Sequence, residues 1–308
     1  MPEKKIITLT MNPAVDKSTQ VQHVAPDQKL RCEKPRFDPG GGGINVARVI
    51  TRLGGRTEAI YPRGGPMGDM LYGLLESEQI QQHTIPVAEQ TRTNLTVYDQ
   101  SSEQQFRFGM PGTHLTEAEW QRCLEAVEAM SPDFLVASGS LPPGVPDDFY
   151  ARVAHIAHKV QARYALDTSG DALTQGVEGG CYLLKPNMRE LQHLAGESID
   201  REDAQEQAAR SLIEAGKAEI VVVSLGSAGA LLVTADGSKR LRAPSVTIRS
   251  KVGAGDSMMG GMVLALARQW PVEAVVNYGI AAGAAAVTSP GTKLCEPEDV
   301  EALYQAIT

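Results

Sequence analysis

Asp256 stands in the run Lys251-Val252-Gly253-Ala254-Gly255-Asp256-Ser257, which leads into an apolar stretch from Met258 to Arg268. Two glycines one residue apart let the backbone turn tightly and bring successive N–H groups onto one concave surface. A helix that starts just after them adds its own unpaired N–H donors and the positive end of its dipole. Such a surface holds an anion, phosphate above all. A carboxylate there would repel phosphate unless its task is to take a proton from an attacking hydroxyl. The run therefore reads as a phosphoryl-transfer site. The plainer alternative is a loop in which Asp256 or Ser257 caps the helix.

Other elements must bring the remaining chemistry to that point. Ile6 to Met11 is apolar and β-rich, a buried first strand. Asn12-Pro13-Ala14-Val15-Asp16 follows as a turn, placing a carboxylate at the C-terminal end of that strand. In open parallel α/β sheets this end takes the ligand. Gly40, Gly41, Gly42 and Gly43 then run into a helix with apolar Val46, Val49, Ile50 and Leu53. From Thr116 onward strands and helices alternate. Thr116 and Glu119 form a capping box, and Ile220 to Leu225 is a clean buried strand. The alternation predicts an α/β fold, a three-layer, doubly wound, mostly parallel sheet. Two pieces break the pattern. Ser18 to Val24 and Leu30 to Phe37 read as exposed strands, and Leu95, Val97, Phe106 and Phe108 alternate about a polar turn, as in a hairpin. Residues 17–37 and 92–109 should thus form a small antiparallel β lid on a single domain spanning 1–308.

Composition narrows the partners. A net charge of −8 favours neither nucleic acid nor an anionic membrane, so any anion must be held by a local cluster. Cys32, Cys123, Cys181 and Cys295 are scattered and read as reduced thiols of a cytoplasmic protein. The N-terminus has no signal-peptide pattern, and no apolar stretch is long enough to span a bilayer. The six histidines match no metal spacing. Neither a P-loop nor a dinucleotide glycine fingerprint is present.

The glycine run from Gly40 to Arg48, Gly139 to Gly144, the Asn187-x-x-Glu190 pair, Ser224-x-Gly226-x-x-Gly229 and Val252 to Ser257 occur in one order along the whole chain. In that set the chain resembles the ribokinase-like sugar kinases. Asn12 to Asp16, with the glycines before Asn45, resembles their phosphofructokinase branch. The resemblance implies ATP- and Mg²⁺-dependent phosphorylation of a ketohexose phosphate in glycolysis. Fructose 6-phosphate is the first expectation. Fructose 1-phosphate and tagatose 6-phosphate are the near alternatives, and a sugar-phosphate-binding regulator without catalysis is the distant one. Asp256 would be the general base, with the N–H groups of Gly253, Ala254 and Gly255 on the transferring phosphoryl group. Asp16 and Asn45 would hold sugar hydroxyls, and Gly41 and Gly42 would let the backbone come close. Arg92, with Lys29 and Arg31, would hold the substrate phosphate, and Ser140 would lie near it. Lys185 would reach ATP phosphates, while Asn187, Ser224, Gly226 and Gly229 line the nucleotide site. Glu190 would act on Mg²⁺ through water. Some relatives also bind a monovalent cation, which here would take Ser250, Val252, Ala286 and Gly291, with K⁺ the candidate ion. A homodimer through the lids would cover their edge strands and could bring Lys29 or Arg31 to the neighbouring site.

Overall fold

The computed structural model describes residues 4–250, 252–289 and 293–308. In chain order, β1 (Ile6–Leu9) leads to β2 (Ala14–Val21), β3 (Arg36–Gly40), α1 (Gly42–Arg52), β4 (Thr57–Arg63), α2 (Gly65–Ser77) and β5 (Gln81–Pro86). A hairpin of β6 (Arg92–Asp99) and β7 (Gln104–Phe108) follows, then α3 (Glu117–Met130), β8 (Phe134–Ser138), α4 (Phe149–Lys159), β9 (Arg163–Asp167) and α5 (Asp171–Gly176). Next come β10 (Cys181–Leu184), α6 (Met188–Ala195), α7 (Glu202–Glu214), β11 (Ala218–Ser224), β12 (Ala230–Thr234) and β13 (Gly237–Leu241). Three helices close the chain: α8 (Ala254–Ala267), α9 (Val272–Thr288) and α10 (Pro297–Ile307).

Nine strands form one sheet in the order β13-β12-β11-β10-β9-β8-β1-β4-β5. Every pairing from β11 to β5 is parallel, and β12 and β13 add an antiparallel edge. Both faces are covered, because successive strand residues point to opposite sides. Leu135 and Ala137 of β8 join the apolar layer of α3 and α4, with Trp120, Cys123, Phe149 and Val153. Phe134 and Val136 of the same strand join the layer of α1, α8 and α9, with Val49, Met259 and Val276. The expected capping box starts α3: Thr116 N–H and Oγ1 both donate to Glu119 Oε2, at 2.8 Å each.

The small sheet has the order β3-β2-β6-β7. Its outer pairs are antiparallel, and its central pair, β2 with β6, is parallel. Three sequence-based expectations need correction. Ala14 to Asp16 is strand rather than turn, so the ladder fixes the direction of Asp16. Residues 30–35 are irregular, and strand begins only at Arg36; this charged stretch ends in Pro35, which has no N–H to give a ladder. Helix α8 starts at Ala254, four residues earlier than the apolar pattern suggests.

Candidate active site

The chain leaves β1 toward β4 on one side and, later, toward β8 on the other. A crevice opens at such a switch point, outside the C-terminal ends of the strands. The start of α1 lies in it. Gly41 has φ +117°, where side chains are strained, and a Cβ on Gly42 would come 2.3 Å from Ser138 Oγ at the end of β8. Glycine lets this backbone pass against Thr10 and Pro13 at 41 and against the end of β8 at 42.

Helix α8 enters the same crevice. Gly253 caps it with φ 75°, in the left-handed region, and Asp256 is its third residue. Ser257 N–H donates to Gly253 O at 2.8 Å, so the N–H groups ahead of it have no helical acceptor. Asp256 is therefore no N-cap. Its carboxylate is half-buried and accepts Asn45 Nδ2 at 2.8 Å. Burial and the nearby Asp167 charge raise its pKa to about 7, against the pull of Asn45 and Lys185. A carboxyl so poised suits proton abstraction near neutral pH.

Lys185, 5% exposed, pairs with Asp167 at 3.1 Å. A Cβ on Gly255 would lie 3.4 Å from its Nζ, so the ammonium sits under the first turn of α8. Burial alone would lower the lysine pKa, but Asp167 outweighs it and the net shift is upward, keeping the charge. Asn187 and Glu190 close a capping box at the start of α6: Glu190 Oε2 accepts Asn187 N–H at 2.8 Å, and Asn187 Oδ1 accepts Glu190 N–H at 3.0 Å. Glu190 is raised by burial and by Asp167. Among the described residues no group of three or more His, Cys, Asp or Glu could hold a metal. One carboxylate with solvent access fits Mg²⁺, which keeps much of its water.

Opposite Asp256 lies the root of the small sheet. Asp16 falls in register with Asn94 and Asp38, and Asn94 Nδ2 donates to Asp16 Oδ1 at 2.8 Å. Burial raises Asp16, opposed by that bond and by the charges of Arg92 and Arg107. Arg92 donates to the carbonyls of Met110 (3.1 Å) and Asn12 (3.0 Å), and Asn12 Nδ2 reaches Ser140 Oγ at 3.1 Å. Arg92, Asn12 and Ser140 are thus one connected group. Lys29 and Arg31 are not part of it; both are exposed in the irregular segment before β3.

Behind α8 a cavity of about 540 Å³ is lined by Ser224, Gly226 and Gly229 on one side and by Ile280, Ala284 and Val287 on the other. Ala254 and Gly255 stand at its end. An apolar slot ending at a helix N-terminus suits a nucleobase with its phosphates. A Cβ on Gly229 would strike Leu241 O at 2.0 Å, which explains that glycine structurally. The expected cation group is only partly visible. Ser250 N–H donates to Val287 O, Val252 N–H donates to Ser250 Oγ, and Ala286 O accepts Ser289 N–H. Gly291 and Lys251 lie outside the described residues.

Residues 6–299 match the pfkB family carbohydrate kinase. The chain belongs to that family. It is 46% identical over 303 residues to an ATP-dependent 6-phosphofructokinase isozyme 2 of Mycobacterium tuberculosis, covering 98% of this chain and 89% of the relative. A 1-phosphofructokinase of Xanthomonas campestris is 34% identical over 266 residues, 84% of this chain and 83% of the relative. Among solved structures, phosphofructokinase-2 from Escherichia coli in complex with potassium superposes with TM-score 0.96 at 42% identity, covering 99% of both chains. The ribokinase-like fold follows from this likeness.

Sequence reasoning missed Asp167, Asn94 and Arg107. Asn94 and Arg107 lie on strands whose register against Asp16 no local pattern reveals. Asp167 had a weak mark, a carboxylate at the C-terminal end of a buried strand.

Proposed function

We propose that the protein is an ATP-dependent 6-phosphofructokinase, transferring the γ-phosphoryl group of ATP to the 1-hydroxyl of fructose 6-phosphate. The observation that supports it most is the position of Asp256. It stands at a helix N-terminus backed by Lys185, accepts a hydrogen bond from Asn45 and feels the charge of Asp16. Asp256 takes the hydroxyl proton as the oxygen bonds to phosphorus and the bond from phosphorus to the ADP oxygen breaks. The N–H groups of Gly253, Ala254 and Gly255 and the Lys185 ammonium meet the charge that gathers on the phosphoryl oxygens. Asp16 accepts from sugar hydroxyls. Ser224, Gly226 and Gly229 border the base, and Asn187 holds Glu190 in place.

Mg²⁺, bound through water to Glu190, would neutralise β- and γ-phosphate charge. K⁺ is proposed near Ser250, Val252, Ala286 and Gly291, by likeness to the potassium-bound relative. Arg92, joined by Arg107, holds the 6-phosphate. Residues 17–37 and 92–109 act as a lid on one kinase domain. Phe108 in the lid and Met110 just beyond it are 48% and 44% exposed, which supports a homodimer through the lids. In it Lys29 and Arg31 would serve the neighbouring site. We place the enzyme in the cytoplasm; no helix among the described residues is long and apolar enough to cross a membrane. The test is ADP release with fructose 6-phosphate, fructose 1-phosphate, tagatose 6-phosphate and free fructose. A higher kcat/KM for either rival phosphate would reassign the substrate.

A further inference from the structure

Asn45 has a second partner besides Asp256. Its Oδ1 accepts from Arg48 Nη1 at 3.3 Å, one turn further along α1. The same Nη1 donates to Pro39 O at 3.1 Å, at the root of β3. The rest of the guanidinium forks onto Glu78, just past α2, with Nε to Oε2 at 2.9 Å and Nη2 to Oε1 at 2.7 Å. Arg48 is 2% exposed. A buried arginine thus joins the small sheet, α2 and α1 at one point, and its free edge touches the residue that touches Asp256.

The consequence lies in the amide. Asparagine has a donating end and an accepting end, and rotation exchanges them. If Oδ1 faced Asp256, two acceptors would meet and the carboxylate would lose its hydrogen bond. A cationic donor on Oδ1 commits the NH₂ group to Asp256. We propose that Arg48 is a positioning residue, setting the direction of the Asn45 amide and so the hydrogen bond that the base receives. This rests on Asp256 being the base. Glu78 supplies the fork that holds Arg48, with Arg52 3.5 Å from the same carboxylate. Asp167, Lys185 and Asp16 also act on Asp256 by charge, whereas the hydrogen bonds of Arg48 go to Glu78, Pro39 and Asn45.

A plain structural role predicts something different. Arg48 with Glu78 is a buried ion pair, and losing it would lower stability without touching proton transfer. The experiment is the pH dependence of kcat/KM for fructose 6-phosphate at saturating MgATP. It compares wild type, Arg48→Met, Arg48→Lys, Asn45→Ala and the Arg48→Met/Asn45→Ala double variant, with thermal denaturation of each. Arg48→Lys keeps a charge for Glu78, but one ammonium cannot both replace the fork and reach Asn45. Loss of a hydrogen bond to a carboxylate raises its pKa. The acidic limb of Arg48→Met should therefore move up by about one pH unit. Arg48→Lys should move it the same way. In the Asn45→Ala background, Arg48→Met should add no further movement. A folded Arg48→Lys or Arg48→Met protein with its limb at the wild-type position overturns the proposal. An equal shift with and without Asn45 overturns it as well. A wild type that phosphorylates no sugar phosphate would instead defeat the kinase reading beneath it.

Discussion

The Lys185 ammonium lies 3.1 Å from Asp167 Oδ1, and both sit beneath the first turn of α8. Asp167, Glu190 and Asp256 all act on this ammonium by charge, so its positive charge is balanced within the protein. Lys185→Met would strand Asp167 beside Asp256, whose pKa Asp167 already raises. We expect the acidic limb of kcat/KM to move up and ATP affinity to fall. An unmoved limb in a folded Lys185→Met protein would remove the lysine from the electrostatics of the base.

Asp256→Asn keeps the shape of the side chain but cannot accept the proton. A fall in kcat of about 10²–10⁴ is expected, the usual contribution of a general base. Binding of ATP, followed by nucleotide titration, should hardly change. Wild-type turnover would exclude Asp256 from the chemistry.

The same variant should be more stable than wild type at alkaline pH. The folded pKa of Asp256 is about 7 against an ordinary 3.8. The unfolded chain thus gives up this proton first, and the native state loses stability as pH rises from about 4 to 7. Asparagine has no such dependence. Denaturation midpoints should favour Asp256→Asn by about 2 kcal/mol at pH 8, a full burial shift being reduced by solvent contact. The difference should vanish near pH 4. A constant difference at both pH values would mean that packing, not ionisation, is the cause.

Glu190→Gln retains an oxygen that can accept the Asn187 N–H, so α6 should stay capped. Its carboxylate charge is gone. The Mg²⁺ concentration for half-maximal rate should rise, with the KM for fructose 6-phosphate little changed. If only thermal stability moved, Glu190 would be a helix cap and nothing more.

Arg92→Ala should lower kcat/KM for fructose 6-phosphate by about 10- to 100-fold, the effect of one charged contact to phosphate. Its poor rate with free fructose should be nearly unaffected. The two carbonyls that Arg92 holds give the alternative a concrete form. Equal losses with both sugars would show that it braces the Met110 and Asn12 segments instead.

Much of this was legible in the sequence, for reasons that can be named. The parallel core was readable because strands such as Ile220 to Ser224 are apolar on both faces and punctuated by capped helices. The tight turn ahead of α8 was readable because glycine at 253 has a conformational cause. The root of the small sheet was not. Asp16 meets Asn94 only because β2 and β6 pair in parallel, and parallel pairing of distant strands leaves no local trace. The start of α8 was missed because Ala254 and Gly255 lack the apolar period that marks a helix, although their backbone already follows it. Nothing local in the sequence marks the partners of Arg48, because Glu78 lies 30 residues away and meets it only through packing.

The central pair of the small sheet bears on how the molecule is made. Asp16 and Asn94 are 78 residues apart, and the segment between them includes α1, β4, α2 and β5. Closing so long a loop before it is rewarded by contacts is slow. A chain emerging from synthesis would therefore complete the root of its small sheet, the proposed sugar site, only after that intervening block had folded. Trp120 and Trp270 pack with the two core layers, away from this sheet, so their fluorescence should report collapse first. On refolding, recovery of sugar-phosphate binding should lag behind the tryptophan signal, leaving a short-lived species with an intact core and no grip on its substrate.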